Sequence, residues 1–166
     1  MTETRKCQVL VVGAGPGGYV AGIRSGQLGL DTIVVEGDKA GGTCLIRGCI
    51  PSKAIIHAAD RFGALQQHSE DGGHMGISVE GSPEVDMAAL VSWKDGIVDR
   101  LNKGVEGLLK AAGTELVKGW ANFTGPKSCA VETSDGEINI EAENIIIATG
   151  SSHIDLPFMP CDEEFI

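Results

Sequence analysis

Two cysteines five positions apart, Cys44 and Cys49, stand in "GGTCLIRGCIPSK" (41–53), between a glycine pair and a proline followed closely by Lys53. Thiols so placed suit three roles: unlinked core side chains, half of a metal site, or a disulfide that forms and breaks. On a regular α-helix, Cα atoms five apart lie about 8–9 Å from each other. A disulfide needs less than about 7 Å. A bridge therefore requires the helix to break between the two sulfurs. Gly48 sits inside the spacing and Pro51 is at ease only near a helix start, so the break is written into the segment. A helix that starts late also places Cys49 among free amide groups, which favour a thiolate. A zinc site needs two further ligands. His57, His68, His74 and His153 are scattered and no second close cysteine pair exists, so no metal is expected. Unlinked core thiols are the plainer alternative, and they are the reading for Cys7, Cys129 and Cys161. A redox pair is the best account of 44 and 49.

A second constellation lies upstream. Gly13-Ala14-Gly15-Pro16-Gly17-Gly18 fits G-x-G-x-x-G, between a strand and a helix as its mechanism requires. Gly13 permits the tight turn, Gly15 lets a pyrophosphate approach the backbone, and Gly18 lets helix pack on strand. The first amides of the helix then face the phosphates. Glu36 closes the next strand, eighteen positions after Gly18, where an acid binds ribose hydroxyls and repels a 2′-phosphate. NADP is disfavoured there; FAD and NAD both fit.

The elements that carry these residues follow from pattern. "CQVLVV" (7–12) is a strand cut off by Gly13; a helix is expected from about Pro16 to Leu28, and a strand from Asp31 to Glu36. That strand–helix–strand unit requires a parallel sheet. A long helix begins near Cys49 and runs through His68, and residues 69–85 form a Gly- and acid-rich loop. From Asp86 to Ala112 the spacing of Leu90, Ile97, Leu101, Val105 and Leu108 is helical, with Gly113 as the stop. Three or four short strands follow from Thr114 to Ile147, turned at Ser134-Asp135-Gly136. "NIIIATG" (144–150) is a buried strand ending in glycine. The fold class is α/β: a Rossmann-like domain over 1–150 with a small antiparallel meander. Residues 151–166 read as a connector toward a further domain, as in a piece of something longer.

Bulk properties narrow the partners. The chain of 166 residues is 42% hydrophobic, enough for one core, and its four Phe, two Trp and one Tyr leave that core to aliphatic residues. Twenty-four glycines imply close backbone approaches. A net charge of −10 argues against nucleic acid or anionic membrane. No apolar run reaches the ~18 residues of a membrane span, and the start resembles no signal segment. A cytoplasmic, reducing location is expected, where a disulfide is more often catalytic than structural.

With fingerprint, ribose acid and cysteine segment together, the chain resembles the pyridine nucleotide–disulfide oxidoreductases. Its "CIPSK" and the helix "VSWKDGIVDRLNKGVEGLLK" (91–110) look most like the dihydrolipoyl dehydrogenase branch, especially its branched-chain 2-oxoacid members. The resemblance implies that Gly13, Gly15 and Gly18 hold the pyrophosphate of FAD and that Glu36 holds its adenosine ribose. It implies that Gly42, Thr43 and Cys44 line the path to the flavin, and that Lys53 approaches flavin N5. Ala121 in "GWANF" would meet the adenine, and Thr149-Gly150-Ser151 would close over the cofactor. Cys44 would exchange with the lipoyl sulfur and Cys49 would pass electrons to the flavin, which reduces NAD bound outside residues 1–166. The partner would be dihydrolipoamide on a lipoyl domain of a 2-oxoacid dehydrogenase complex, and the parent a homodimer. A thiol-redox module without activity, or a related reductase with another substrate, are the alternatives. One departure stands at the site: the family's "CLNVGC" is "CLIRGC" here, with Ile46 and Arg47 in the middle.

Overall fold

The structure is a computed structural model and describes residues 3–70, 75–152, 154 and 156–158. Ten elements follow in order: β1 (Glu3–Val12), α1 (Pro16–Gln27), β2 (Thr32–Glu36), α2 (Gly42–Ile46), α3 (Cys49–Glu70), α4 (Met87–Ala111), β3 (Glu115–Lys118), β4 (Trp120–Gly125), β5 (Ser128–Thr133) and β6 (Gly136–Ile147). They build one six-stranded sheet in the order β3-β2-β1-β6-β5-β4.

Apolar runs put β1 and β2 at the centre. Leu10, Val11 and Val34 are fully buried, and β1 pairs in parallel with β2 on one side and β6 on the other. β2 pairs in parallel with β3. The last three strands are antiparallel, β4 to β5 and β5 to β6, so the expected meander is continuous with the parallel sheet.

Alternate side chains of the central strands feed two cores, as the pleat demands. Val9, Val11 and Val34 meet Val105 and Leu109 under the helices. Leu10, Val12, Ile33 and Val35 meet Val117, Val131 and Ile140 on the other face, where the sheet curls and the meander covers its own parallel half. The Gly119 amide donates to the Glu36 carbonyl at 2.9 Å, and a Cβ on Gly119 would stand 2.5 Å from the Glu132 carbonyl oxygen. A glycine is what allows β4 to turn over β2.

Three expectations change. The buried stripe of α4 is Val98, Asn102, Val105 and Leu109, whereas Leu101 and Leu108 face solvent. Both stripes satisfy helical spacing; the buried one contains an asparagine, which a purely apolar reading passes over. The stretch 144–147 is no separate buried strand. It is the end of β6 and its β5-side edge is unpaired, leaving Ile147 66% exposed. The loop expected over 69–85 begins later than thought, because α3 continues to Glu70. His74 and His153, and most of the expected connector 151–166 with Cys161, lie outside the described residues.

Candidate active site

At the C-terminal ends of β1 and β2 the chain encloses a cleft of about 1010 Å³. Its floor is the fingerprint. Gly13 has φ +96°, and a Cβ there would sit 2.3 Å from the Ala148 carbonyl oxygen, so the β1 turn lies back to back with the end of β6. The Ala148 amide donates to the Val12 carbonyl at 2.8 Å, which brings Thr149, Gly150 and Ser151 onto the opposite wall. Gly18 does not line the cleft. A Cβ on it would collide with the Gly13 carbonyl oxygen at 1.8 Å, so its missing side chain lets α1 approach the turn.

Glu36 ends β2 at the rim, with its carboxylate held by two backbone donors. Oε2 accepts from the Ala14 amide at 2.7 Å and Oε1 from the Asp38 amide at 2.9 Å. The acid thereby fixes both the glycine turn and the loop after β2, and it lines the cleft. Ala121 and Trp120 come from β4 on the meander side. Trp120 lies against the backbone of Gly37, where a Cβ would stand 2.7 Å from the ring.

The second motif meets the first through glycine. Gly42 has φ +71°, and a Cβ on it would be 2.8 Å from the Gly15 Cα and 2.9 Å from the Pro16 Cδ. The Gly41 amide donates to the Ala14 carbonyl at 2.8 Å. Gly42, Thr43 and Cys44 thus form a wall of the cleft directly over the fingerprint. The helix breaks at Arg47–Gly48, as the spacing of the cysteines demands: α2 ends at Ile46 and α3 starts at Cys49.

Both cysteines are exposed thiols in this structure. They stand close enough to govern each other: Cys49 is the largest influence on Cys44 and holds its thiol above the ordinary pKa by hydrogen bonding to the protonated form. The Lys53 ammonium, one turn along α3, pulls Cys44 the other way, the smallest of the effects on it. Lys53 and Cys49 reach the pair from α3 and do not line the cleft. Cys7 and Cys129 are buried in the sheet. Among the described residues no three His, Cys, Asp or Glu side chains gather as a metal would need.

Sequence reasoning passed over the residues that hold the rim. Asn102 of α4, buried, donates from Nδ2 to the Ala40 carbonyl at 2.6 Å, and Asp99, one turn earlier, pairs with Lys39 at 3.3 Å. Asp38, in the loop after β2, pairs with Arg47 at the end of α2. Their only signal in the sequence was an asparagine inside a buried helical stripe and an arginine at an unusual motif position.

The geometry defines an α/β module with a glycine-lined cleft and one thiol of a neighbouring pair, Cys44, on the wall of that cleft. Residues 7–165 match the pyridine nucleotide-disulphide oxidoreductases, and the chain belongs to that family. It is 49% identical over 161 residues to a dihydrolipoyl dehydrogenase of Pseudomonas aeruginosa, covering 96% of this chain and 34% of that protein. It is 51% identical over 154 residues to one of Halobacterium salinarum, covering 90% and 31%. The chain spans about a third of the length of these curated relatives. Its fold is similar to part of the HOCl-induced flavoprotein disulfide reductase RclA of Escherichia coli, solved as a Cu(II) complex, with a TM-score of 0.73 and 23% identity over 92% of this chain and 30% of that one.

Proposed function

We propose that residues 1–150 are the FAD-binding portion of a dihydrolipoyl dehydrogenase-like flavoenzyme, and that residues from 151 lead toward its NAD-binding part. The observation that carries this reading is the meeting of the two motifs: the contact of Gly42 with Gly15 sets Cys44, one thiol of the pair, on the wall of the glycine-lined cleft. The residues present fit such a group. Gly13, Gly15 and Gly42 let the backbone segments round the cleft close on one another, and the first amides of α1 would meet a pyrophosphate there. Glu36, already held by the Ala14 and Asp38 amides, would accept from the ribose hydroxyls. Ala121 would meet the adenine, Thr149, Gly150 and Ser151 would close the facing wall, Gly18 seats α1, and Lys53, outside the cleft lining, would approach the flavin from α3.

Cys44 and Cys49 carry the exchange. A thiolate of dihydrolipoamide attacks Cys44 Sγ of the oxidised pair, the Cys44–Cys49 bond breaks, and Cys49 leaves as a thiolate. The second lipoyl thiol then attacks its own mixed-disulfide sulfur, releasing lipoamide and the Cys44 thiolate. The pair has gained two electrons and the substrate has lost two electrons and two protons. FAD, when bound, supplies the two-electron acceptor that restores the disulfide and delivers hydride to NAD. Lys39 and Arg47, both ion-paired, leave the rim without a free cation among the described residues, so phosphate recognition falls to backbone amides. The substrate is carried on a lipoyl domain of a 2-oxoacid dehydrogenase complex, and the parent acts as a homodimer in the cytoplasm. No helix among the described residues is long and apolar enough to cross a membrane.

Absorbance of the FAD-loaded parent enzyme tests the reading. One equivalent of dihydrolipoamide should produce long-wavelength absorbance, abolished by Cys49→Ser, with turnover lost in either Cys44→Ser or Cys49→Ser. Retained turnover in both serine variants would overturn the assignment.

A further inference from the structure

We propose that the Arg47–Asp38 ion pair is a strap that positions Cys44 against Cys49. The inference rests on the redox-pair reading above.

The helix that carries Cys44 is weakly held. α2 has five residues, none of them buried. Its N-terminal end is secured by the Gly41 amide on the Ala14 carbonyl and by the packing of Gly42 on Gly15. Leu45 adds contact at the margin of the helix-side core. At the C-terminal end the Arg47 amide closes the last turn on the Thr43 carbonyl, a bond within the segment. Apart from the thiol contact itself, Arg47 is the only side chain of residues 42–48 with a polar bond to the rest of the described chain.

The far anchor is firm. Asp38 follows β2, and its amide is bonded to Glu36 Oε1 while Glu36 Oε2 holds the Ala14 amide of the fingerprint. The guanidinium therefore ties the loose end of the Cys44 helix to a backbone already fixed at two points. It does so at the residue next to the break at Arg47–Gly48, where the chain turns from α2 into α3. Restricting α2 raises the effective concentration of one thiol at the other. Arg47 is a positioning residue by this account: it touches neither sulfur and acts through the backbone of α2.

The size of the effect follows from exposure. Arg47 and Asp38 side chains are 65% and 44% exposed. Such pairs shift an equilibrium by about two- to five-fold and weaken in salt. The quantity to read is the constant for reduced pair plus oxidised glutathione going to disulfide plus two reduced glutathiones. Two S–H bonds and one S–S bond break, one S–S bond forms in the protein, and the electron pair and two protons pass to glutathione.

The experiment titrates the 166-residue chain with glutathione and quantifies the Cys44–Cys49 bond by peptide mapping. It compares wild type with Arg47→Gln, Asp38→Asn, Arg47→Lys and the double exchange Asp38→Arg/Arg47→Asp, each confirmed folded by circular dichroism. The neutral variants should lower the constant about two- to five-fold, while Arg47→Lys and the double exchange hold it near wild type. In 1 M NaCl the wild type should fall to the Arg47→Gln value, and that variant should not move. Coincident constants, or a double exchange no better than the single changes, would overturn the strap with the redox pair intact. A wild type that forms no disulfide at any ratio would overturn the redox pair and the strap together.

Discussion

Glycine 42 stands where the two motifs touch, and one methyl group there tests the contact. Gly42→Ala places a Cβ within 3 Å of Gly15 and Pro16 on a backbone at φ +71°. Strain and overpacking together should cost about 1–3 kcal/mol. Urea titration should show that loss, and fluorescence-monitored FAD affinity should fall with it. Gly17→Ala is the matched control: it is helical and nothing lies within 4 Å of its Cβ position, so stability should hold or rise slightly. Equal behaviour of the two variants would deny the contact. At this scale the sequence spoke clearly for Gly13, Gly15, Gly18 and Glu36, because each serves a local backbone geometry. It was silent on Gly42 against Gly15, since nothing local says that a turn at 13–18 and a pair at 41–42 will face each other.

Among the elements, β1 and α4 carry the next predictions. Cys7 of β1 is buried, and burial, reinforced by Asp31, pushes its thiol up to about 11 from 9.0. Below pH 9 both folded and unfolded chains keep the proton. As pH rises from 9 to 11 only the unfolded chain loses it, so stability falls across that window by about 2–3 kcal/mol. Urea unfolding at pH 8.5 and 11 should show a larger drop in wild type than in Cys7→Ala; equal drops would contradict the linkage. Asn102 of α4 is buried and satisfied by the Ala40 carbonyl. Asn102→Ala leaves that carbonyl without its donor and should cost about 1–3 kcal/mol by the same measurement. Hydrogen exchange should speed at residues 38–42 and remain unchanged in β5; an unchanged rim would mean α4 does not hold it. The extent of α4 was legible from period and its stop at Gly113, but its buried face was not. A heptad pattern offers several apolar stripes, and only docking against β2 and Ala40 selects the one containing Asn102.

For the molecule as a whole, surface area is the telling quantity. Its accessible surface is 11076 Å², against about 7,800 Å² for a compact monomer of 17.3 kDa. α3 is one open face: Ala54 is its only buried residue among those described, and Ile55, Ile56 and Leu65 face solvent. The chain by itself should therefore bind the apolar dye ANS, and α3 amides should exchange well before those of β1 and β2. Protection of α3 equal to that of the central strands would contradict this picture.

Local chemistry in the sequence was enough to determine the strand–turn–helix–strand unit, the acid that closes β2, the broken helix between Cys44 and Cys49 and the family they signal. Each is set by neighbours within a few tens of positions, through backbone freedom, spacing or a cap. The curl of the meander over the parallel strands, the buried face of α4, the exposed end of β6 and the ties from Asp38 and Asn102 to the cleft rim were decided by tertiary packing. Those contacts join residues 9 to 62 positions apart on separate elements, or strands at opposite ends of the chain. Burial and hydrogen-bond satisfaction over the whole assembled sheet choose among them, and no local pattern carries that information.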